Sequence, residues 1–166
     1  MIKAALAGLD RPAVFLGDSI TEMARLPETI CGKPIVNAGI GGVGVADFEY
    51  LAPRLMDGST PSLIIVALGA NDVGSTTAQR DYADLLSELK KLSSKLLVVA
   101  VTPLDGADQV NAQIKAAAQS EGVPFVESLL PAGSTFDGIH LTAAGYKVWT
   151  PAILRAATKA LGCQAD

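Results

Sequence analysis

The sequence predicts a three-layer α/β sandwich, a single domain in which five parallel strands form one sheet with helices on both faces. Three observations lead there. Short aliphatic runs alternate with longer amphipathic segments along the whole chain. The runs are unbroken Val, Ile and Leu, not apolar–polar alternations, which means strands buried on both faces by helices. The punctuation also falls where helices should begin and end. Thr142 stands ahead of the last amphipathic segment as an N-cap, and Gly122 follows the preceding one as a C-cap.

Taken in order, the first strand is 13–17, where Ala-Val-Phe-Leu runs into Gly17. A helix over 20–26 follows with almost no connection. The second strand, 34–37, ends at Asn37 and passes through a glycine-rich stretch to a helix over 45–56. The third strand, 63–69, contains the longest apolar run and precedes a helix over 77–92. Pro103 stops the fourth strand, 96–102, ahead of a helix over 108–121. The fifth strand, 123–126, leads through a loop to the last helix, 143–161. No repeat, linker or low-complexity stretch breaks the series, so residues 1–166 read as one domain.

Composition narrows the function classes. Hydrophobic residues make up 49% of the chain, yet its longest apolar run, 63–68, is far short of the roughly 18 residues that span a bilayer. Near the N-terminus, Asp10 follows too soon for the apolar core of a secretory leader, so a soluble, cytoplasmic protein is the expectation. The net charge of −4, with Lys and Arg scattered, argues against a nucleic-acid surface, which needs a basic stripe. Cys31 and Cys163 lie far apart without a C-x-x-C pattern and read as free thiols. His140 is the single histidine, which excludes a multi-histidine metal site and assigns any imidazole chemistry to that residue.

In an open parallel sheet, ligands bind outside the carboxyl ends of the strands. The first such end delivers Ser19, at a turn where helix N–H groups are unpaired and the positive dipole end lies close. That suits a nucleophile whose attack creates an oxyanion. Ser19 and Glu22 also spell Ser-x-x-Glu, a capping box. Beyond the second strand, Gly39, Gly41 and Gly44 satisfy G-x-G-x-x-G, the dinucleotide fingerprint. That fingerprint normally closes a first strand and expects an acid about 20 residues on. A glycine loop also lets one backbone N–H approach a reacting atom unshielded. Asn71, after the third strand, is either a turn residue or an amide donor for developing negative charge. Asp137 and His140 are spaced i, i+3 before the last helix. They read as an exposed loop, or as a carboxylate holding an imidazole whose other nitrogen faces a nucleophile. All these features fall at one rim of the sheet.

The same blocks, in the same order, resemble the SGNH (GDSL-type) hydrolases, a family of esterases and lipases. Gly17-Asp18-Ser19-Ile20 matches the first block, with Ile in place of the usual Leu. Asn37-Ala38-Gly39-Ile40-Gly41-Gly42 resembles the second, whose glycine falls on Gly42. Gly69-Ala70-Asn71-Asp72 matches the third, and Asp137-Gly138-Ile139-His140 the fifth. The resemblance implies a flavodoxin-like sheet, with Ser19 as nucleophile, His140 as general base and Asp137 orienting the imidazole. It also implies an oxyanion hole formed by the Ser19 N–H, the Gly42 N–H and the Asn71 amide. No metal or organic cofactor is called for, and Asp18 and Asp72 are assigned to turn and helix-terminus structure.

The function expected is a serine esterase that cleaves small-molecule carboxylic esters through an acyl-enzyme. The strand-end loops are short, and Met23 and Leu26 with Val43 and Val45 offer one small apolar patch. Acetyl or short acyl esters are therefore expected over long lipids, with O-acetylated carbohydrate as the family-based suggestion. Lysophospholipase or thioesterase chemistry of the same family is the nearest alternative, and a non-catalytic nucleotide-binding α/β module the more distant one. A second copy of the chain could complete the walls of the site.

Overall fold

Strands buried on both faces must lie at the middle of a sheet, and the chain places its most aliphatic runs there. The computed structural model describes residues 1–163. The elements run α1 (Ile2–Leu6), β1 (Ala13–Gly17), α2 (Ser19–Glu22), β2 (Thr29–Ile30), β3 (Lys33–Gly39) and α3 (Val45–Leu55). They continue through β4 (Leu63–Ala67), a 3₁₀ turn (Ala70–Asp72), α4 (Ala78–Lys90), β5 (Leu96–Val99), α5 (Ala107–Ser120), β6 (Phe125–Val126) and α6 (Ala143–Leu161).

The sheet order is β2-β3-β1-β4-β5-β6. Leaving aside β2, the five parallel strands have the flavodoxin-like order that the sequence predicts. The central strand β1 is buried throughout, and its side chains part to two cores. Val14 and Leu16 pack with α3, α4 and α5, whereas Ala13 and Phe15 pack with α6. The order in which successive strands are added reverses between the parallel neighbours β1 and β4, and that switch point is where a ligand crevice opens in such sheets.

Beyond the short α1, which the sequence reading does not include, the structure corrects that reading in four places. A sixth strand, β2, pairs antiparallel with β3 at the edge. Its connection is the two residues Cys31 and Gly32 at φ 52° and 69°, the positive pair that a type I′ hairpin turn requires. Two residues are too few to register as an aliphatic run. Second, the helix expected over 20–26 is the single turn α2. Third, the strands expected to reach Gly69 and Thr102 stop at Ala67 and Val99, although the chain beyond them stays buried. Fourth, the cysteines are not free thiols: Cys31 and Cys163 form a disulfide, with Cα atoms 6.1 Å apart. Sequence spacing could not show this, because the edge hairpin meets the end of α6 through the tertiary fold alone.

That bond closes a loop of 132 residues and removes entropy from the unfolded chain. Reduction, or the Cys31→Ser/Cys163→Ser double variant, is expected to lower the unfolding free energy by about 2–5 kcal/mol. Denaturant titration of oxidised and reduced protein checks it, and coincident midpoints would refute it.

Candidate active site

The turn that carries Ser19 rests on two glycines. Gly17 and Gly39 face each other at the ends of β1 and β3. A Cβ on Gly17 would overlap the Thr21 side chain, and one on Gly39 would overlap the backbone nitrogen of Glu22. Without them, α2 lies directly across the strand ends. Three polar contacts then hold it. The Asn37 amide donates to the carbonyls of Thr21 (2.7 Å) and Ala24 (3.2 Å), and Tyr146 Oη donates to the Ile20 carbonyl at 2.6 Å. Asp18 is the N-cap, its Oδ1 accepting the Ile20 N–H at 3.0 Å. The Ser19–Glu22 capping box expected from sequence therefore does not form. Glu22 Oε2 accepts the Gly41 N–H at 3.1 Å, tying the glycine loop to α2. A helix of four residues also has little macrodipole, so what it offers an oxyanion is chiefly the free N–H of Ser19.

Ser19 Oγ lies 2.9 Å from His140 Nε2, across 121 residues of sequence. His140 Nδ1 lies 2.6 Å from Asp137 Oδ2. The other carboxylate oxygen, Oδ1, accepts the backbone N–H groups of Ile139 (2.9 Å) and His140 (2.7 Å). The imidazole hydrogen bond and these two amides hold the Asp137 carboxyl down at about 2, so it is ionised at neutral pH. An ionised partner on Nδ1 selects the tautomer protonated there and leaves the Nε2 lone pair for the Ser19 hydroxyl. The loop is fixed at its base, where Thr135 and Leu141 form an antiparallel bridge and Phe136 N–H donates to the His140 carbonyl. The exposed Phe136 ring stacks on His140, with centroids 5.9 Å apart and planes 22° from parallel.

The loops after β3 and β4 complete the rim. Asn71 Nδ2 donates to the Val43 carbonyl at 3.0 Å, which occupies one of its two amide hydrogens and joins the two loops. Gly42 is exposed at φ 77°, a conformation open to glycine, and its N–H finds no acceptor among the described residues. Asp72 accepts the Val45 N–H with both oxygens at 3.2 Å, capping α3 from a neighbouring loop. The helix N-terminus that would take a pyrophosphate in the dinucleotide reading is thus already faced by a carboxylate. Val45 is fully buried and drops out of the apolar patch expected from sequence, whereas Met23 is half exposed and remains.

A sequence model of the GDSL-like lipase/acylhydrolase family matches residues 15–148. The chain belongs to that family. It is a carboxylic ester hydrolase, and the nucleotide-binding alternative falls away. Among curated proteins none matches the chain in sequence. Solved structures of the family share its fold. A candidate acylhydrolase from Bacteroides fragilis superposes with a TM-score of 0.76 at 25% identity, covering 96% of this chain and 93% of that one. A GDSL-like lipase from Bacteroides thetaiotaomicron gives 0.77 at 23%, covering 95% and 94%. An acetylxylan esterase from Geobacillus stearothermophilus gives 0.71 at 19%, covering 96% and 97%.

Beneath the serine turn lies Asp18, which caps α2 as its assignment to turn and helix-terminus structure expects. Asp18 is only 2% exposed, and burial raises its carboxyl to about 6 despite hydrogen bonds from the Ile20 and Ala70 amides. A pKa above the unfolded value means that the folded state binds the extra proton. Stability from this group is full below about pH 4 and falls as pH rises through about 6. Asp18→Asn keeps an oxygen for the Ile20 N–H and removes the charge. Its stability relative to wild type is expected to improve between pH 4 and pH 7.5, by up to about 3 kcal/mol. Denaturant curves at both pH values check this; a difference independent of pH would refute it.

Proposed function

We propose that Ser19, His140 and Asp137 form the catalytic triad, and that the enzyme removes acetyl or other short acyl groups from polar alcohols. One observation carries the reading: the continuous Asp137–His140–Ser19 hydrogen-bond chain at the switch point of the sheet. Ser19 Oγ attacks the ester carbonyl while His140 Nε2 takes its proton, and Asp137 stabilises the imidazolium. The new oxyanion is met by the Ser19 and Gly42 N–H groups and the second amide hydrogen of Asn71. Collapse breaks the bond to the leaving alkoxide, which receives the proton from Nε2. Water then attacks the acyl-Ser19 and gives its proton to His140; collapse breaks the acyl–Oγ bond, Ser19 Oγ takes that proton back, and the carboxylic acid departs.

The short-acyl preference rests on the openness of the site. Met23 is exposed beside Ser19, and the connections after β1, β3 and β4 are too short to fold into an apolar lid. A long acyl chain would stay in water, where its methylenes gain nothing. An acetylxylan esterase with the same fold supports an acetylated carbohydrate as one substrate of this kind. The disulfide favours an oxidising compartment over the cytoplasm expected from sequence.

A fluorophosphonate is expected to label the protein once, on Ser19; a mapped adduct on another serine would remove the central assignment. Ser19→Ala should lower kcat on the order of 10⁶-fold. Asn71→Ala should lower kcat roughly 10²–10³-fold with little change in KM. In a series of esters of graded acyl length, kcat/KM should peak at about two to four carbons, since no apolar lid covers further methylenes. A steady rise with chain length would overturn the short-acyl reading.

A further inference from the structure

Two clefts flank the His140 loop, and they carry opposite charge. One, of about 650 Å³, is walled by Asp105 and Asp137 together with Leu104 and Ile139. The other, of about 680 Å³, is walled by Met23, Arg25, Leu141, Tyr146, Lys147 and Pro151. Three residues of this second groove adjoin the Ser19 turn or His140. Met23 follows Ser19 by one helical turn, its N–H bonded to the Ser19 carbonyl at 3.0 Å, and Leu141 directly follows His140. Tyr146, on the same wall, is the residue whose hydroxyl holds the Ile20 carbonyl.

The groove's two cations are free to act on a ligand. Arg25 and Lys147 are exposed, and neither has a carboxylate within 4.0 Å among the described residues. No carboxylate lines this groove, whereas the other cleft carries two. Apolar walls with two exposed cations and the Thr150 side chain suit an organic group that bears an acid.

The placement decides which part of the substrate sits there. The leaving oxygen must reach His140 Nε2 to be protonated, and the groove begins at the residue after His140. We infer that the groove lined by Arg25 and Lys147 binds the alcohol portion of the ester, and that this portion carries a carboxylate or phosphate. The inference rests on the serine-esterase reading above. The cleft with Asp105 and Asp137 repels such a group, so the two clefts steer it to one side. Because both cations are exposed, their effect is screened by salt, and each contributes at most a factor of about five.

The test compares three aryl acetates: neutral phenyl acetate, 3-acetoxybenzoate and 3-acetoxyphenyl phosphate, each corrected for its rate of hydroxide hydrolysis. The readout is the ratio of kcat/KM for an anionic ester to that for phenyl acetate, which cancels changes common to both. Wild type is expected to favour an anionic ester about 5- to 20-fold at low salt, with the preference lost at 0.5 M salt. Whichever anion is favoured identifies the acidic group. Arg25→Glu/Lys147→Glu should abolish or invert the ratio, and Lys147→Arg should retain it. A ratio near one in wild type, or one unmoved by the double charge reversal, overturns the inference. Failure of the esterase reading is distinct, since phenyl acetate would then be cleaved no faster by wild type than by Ser19→Ala.

Discussion

The site depends on two missing methyl groups. Because neither Gly17 nor Gly39 has a Cβ, the turn α2 lies against the ends of β1 and β3 at backbone contact distance. Any larger residue at either position would lift the turn off the strands. Ser19 would move with it, and a hydrogen bond of 2.9 Å to a histidine 121 residues away tolerates little displacement. The Asn37 and Tyr146 contacts to α2 fix a position that the glycines make available. Packing supplies the approach, and polar contacts supply the register.

Around that turn, three aspartates do different work because their surroundings differ. Asp18 is buried, so its carboxyl is pushed up even though amides donate to it while it caps α2. Asp72 is partly buried, also shifted up by burial, and caps α3 from the adjoining loop. Asp137 is exposed and receives an imidazole and two amides, so its carboxyl is pulled down and stays ionised beside His140. The side-chain chemistry is the same in all three. Desolvation against hydrogen bonding sets the direction of each shift, and position sets the partner.

The two ends of the molecule are joined by different means. At the carboxyl edge of the sheet, loops after β1, β3 and β4 are cross-linked by the Gly41 N–H donating to Glu22 and the Asn71 amide donating to Val43. Elsewhere, the Cys31 hairpin is tied covalently to the end of α6, the helix whose first turns wall the cationic groove. The disulfide therefore restrains the sheet edge and α6 together, while the site stays open to polar ligands.

Much was legible in the sequence because it is local or patterned. Unbroken aliphatic runs identified the central strands, since burial on both faces leaves no polar alternation. Thr142 and Gly122 marked helix ends, as caps act within a few residues. Ser19, Asn71, Asp137 and His140 stood out because strand ends share one rim of a parallel sheet. Contacts between distant segments were decided by the tertiary structure alone. The Cys31–Cys163 bond, the Asp72 cap on α3 and the Glu22 link to Gly41 each pair residues that spacing cannot relate. The Ser19–Glu22 box failed for the same reason. A local pattern proposes a hydrogen bond, but a buried neighbour such as Asp18 takes the cap when packing brings it closer.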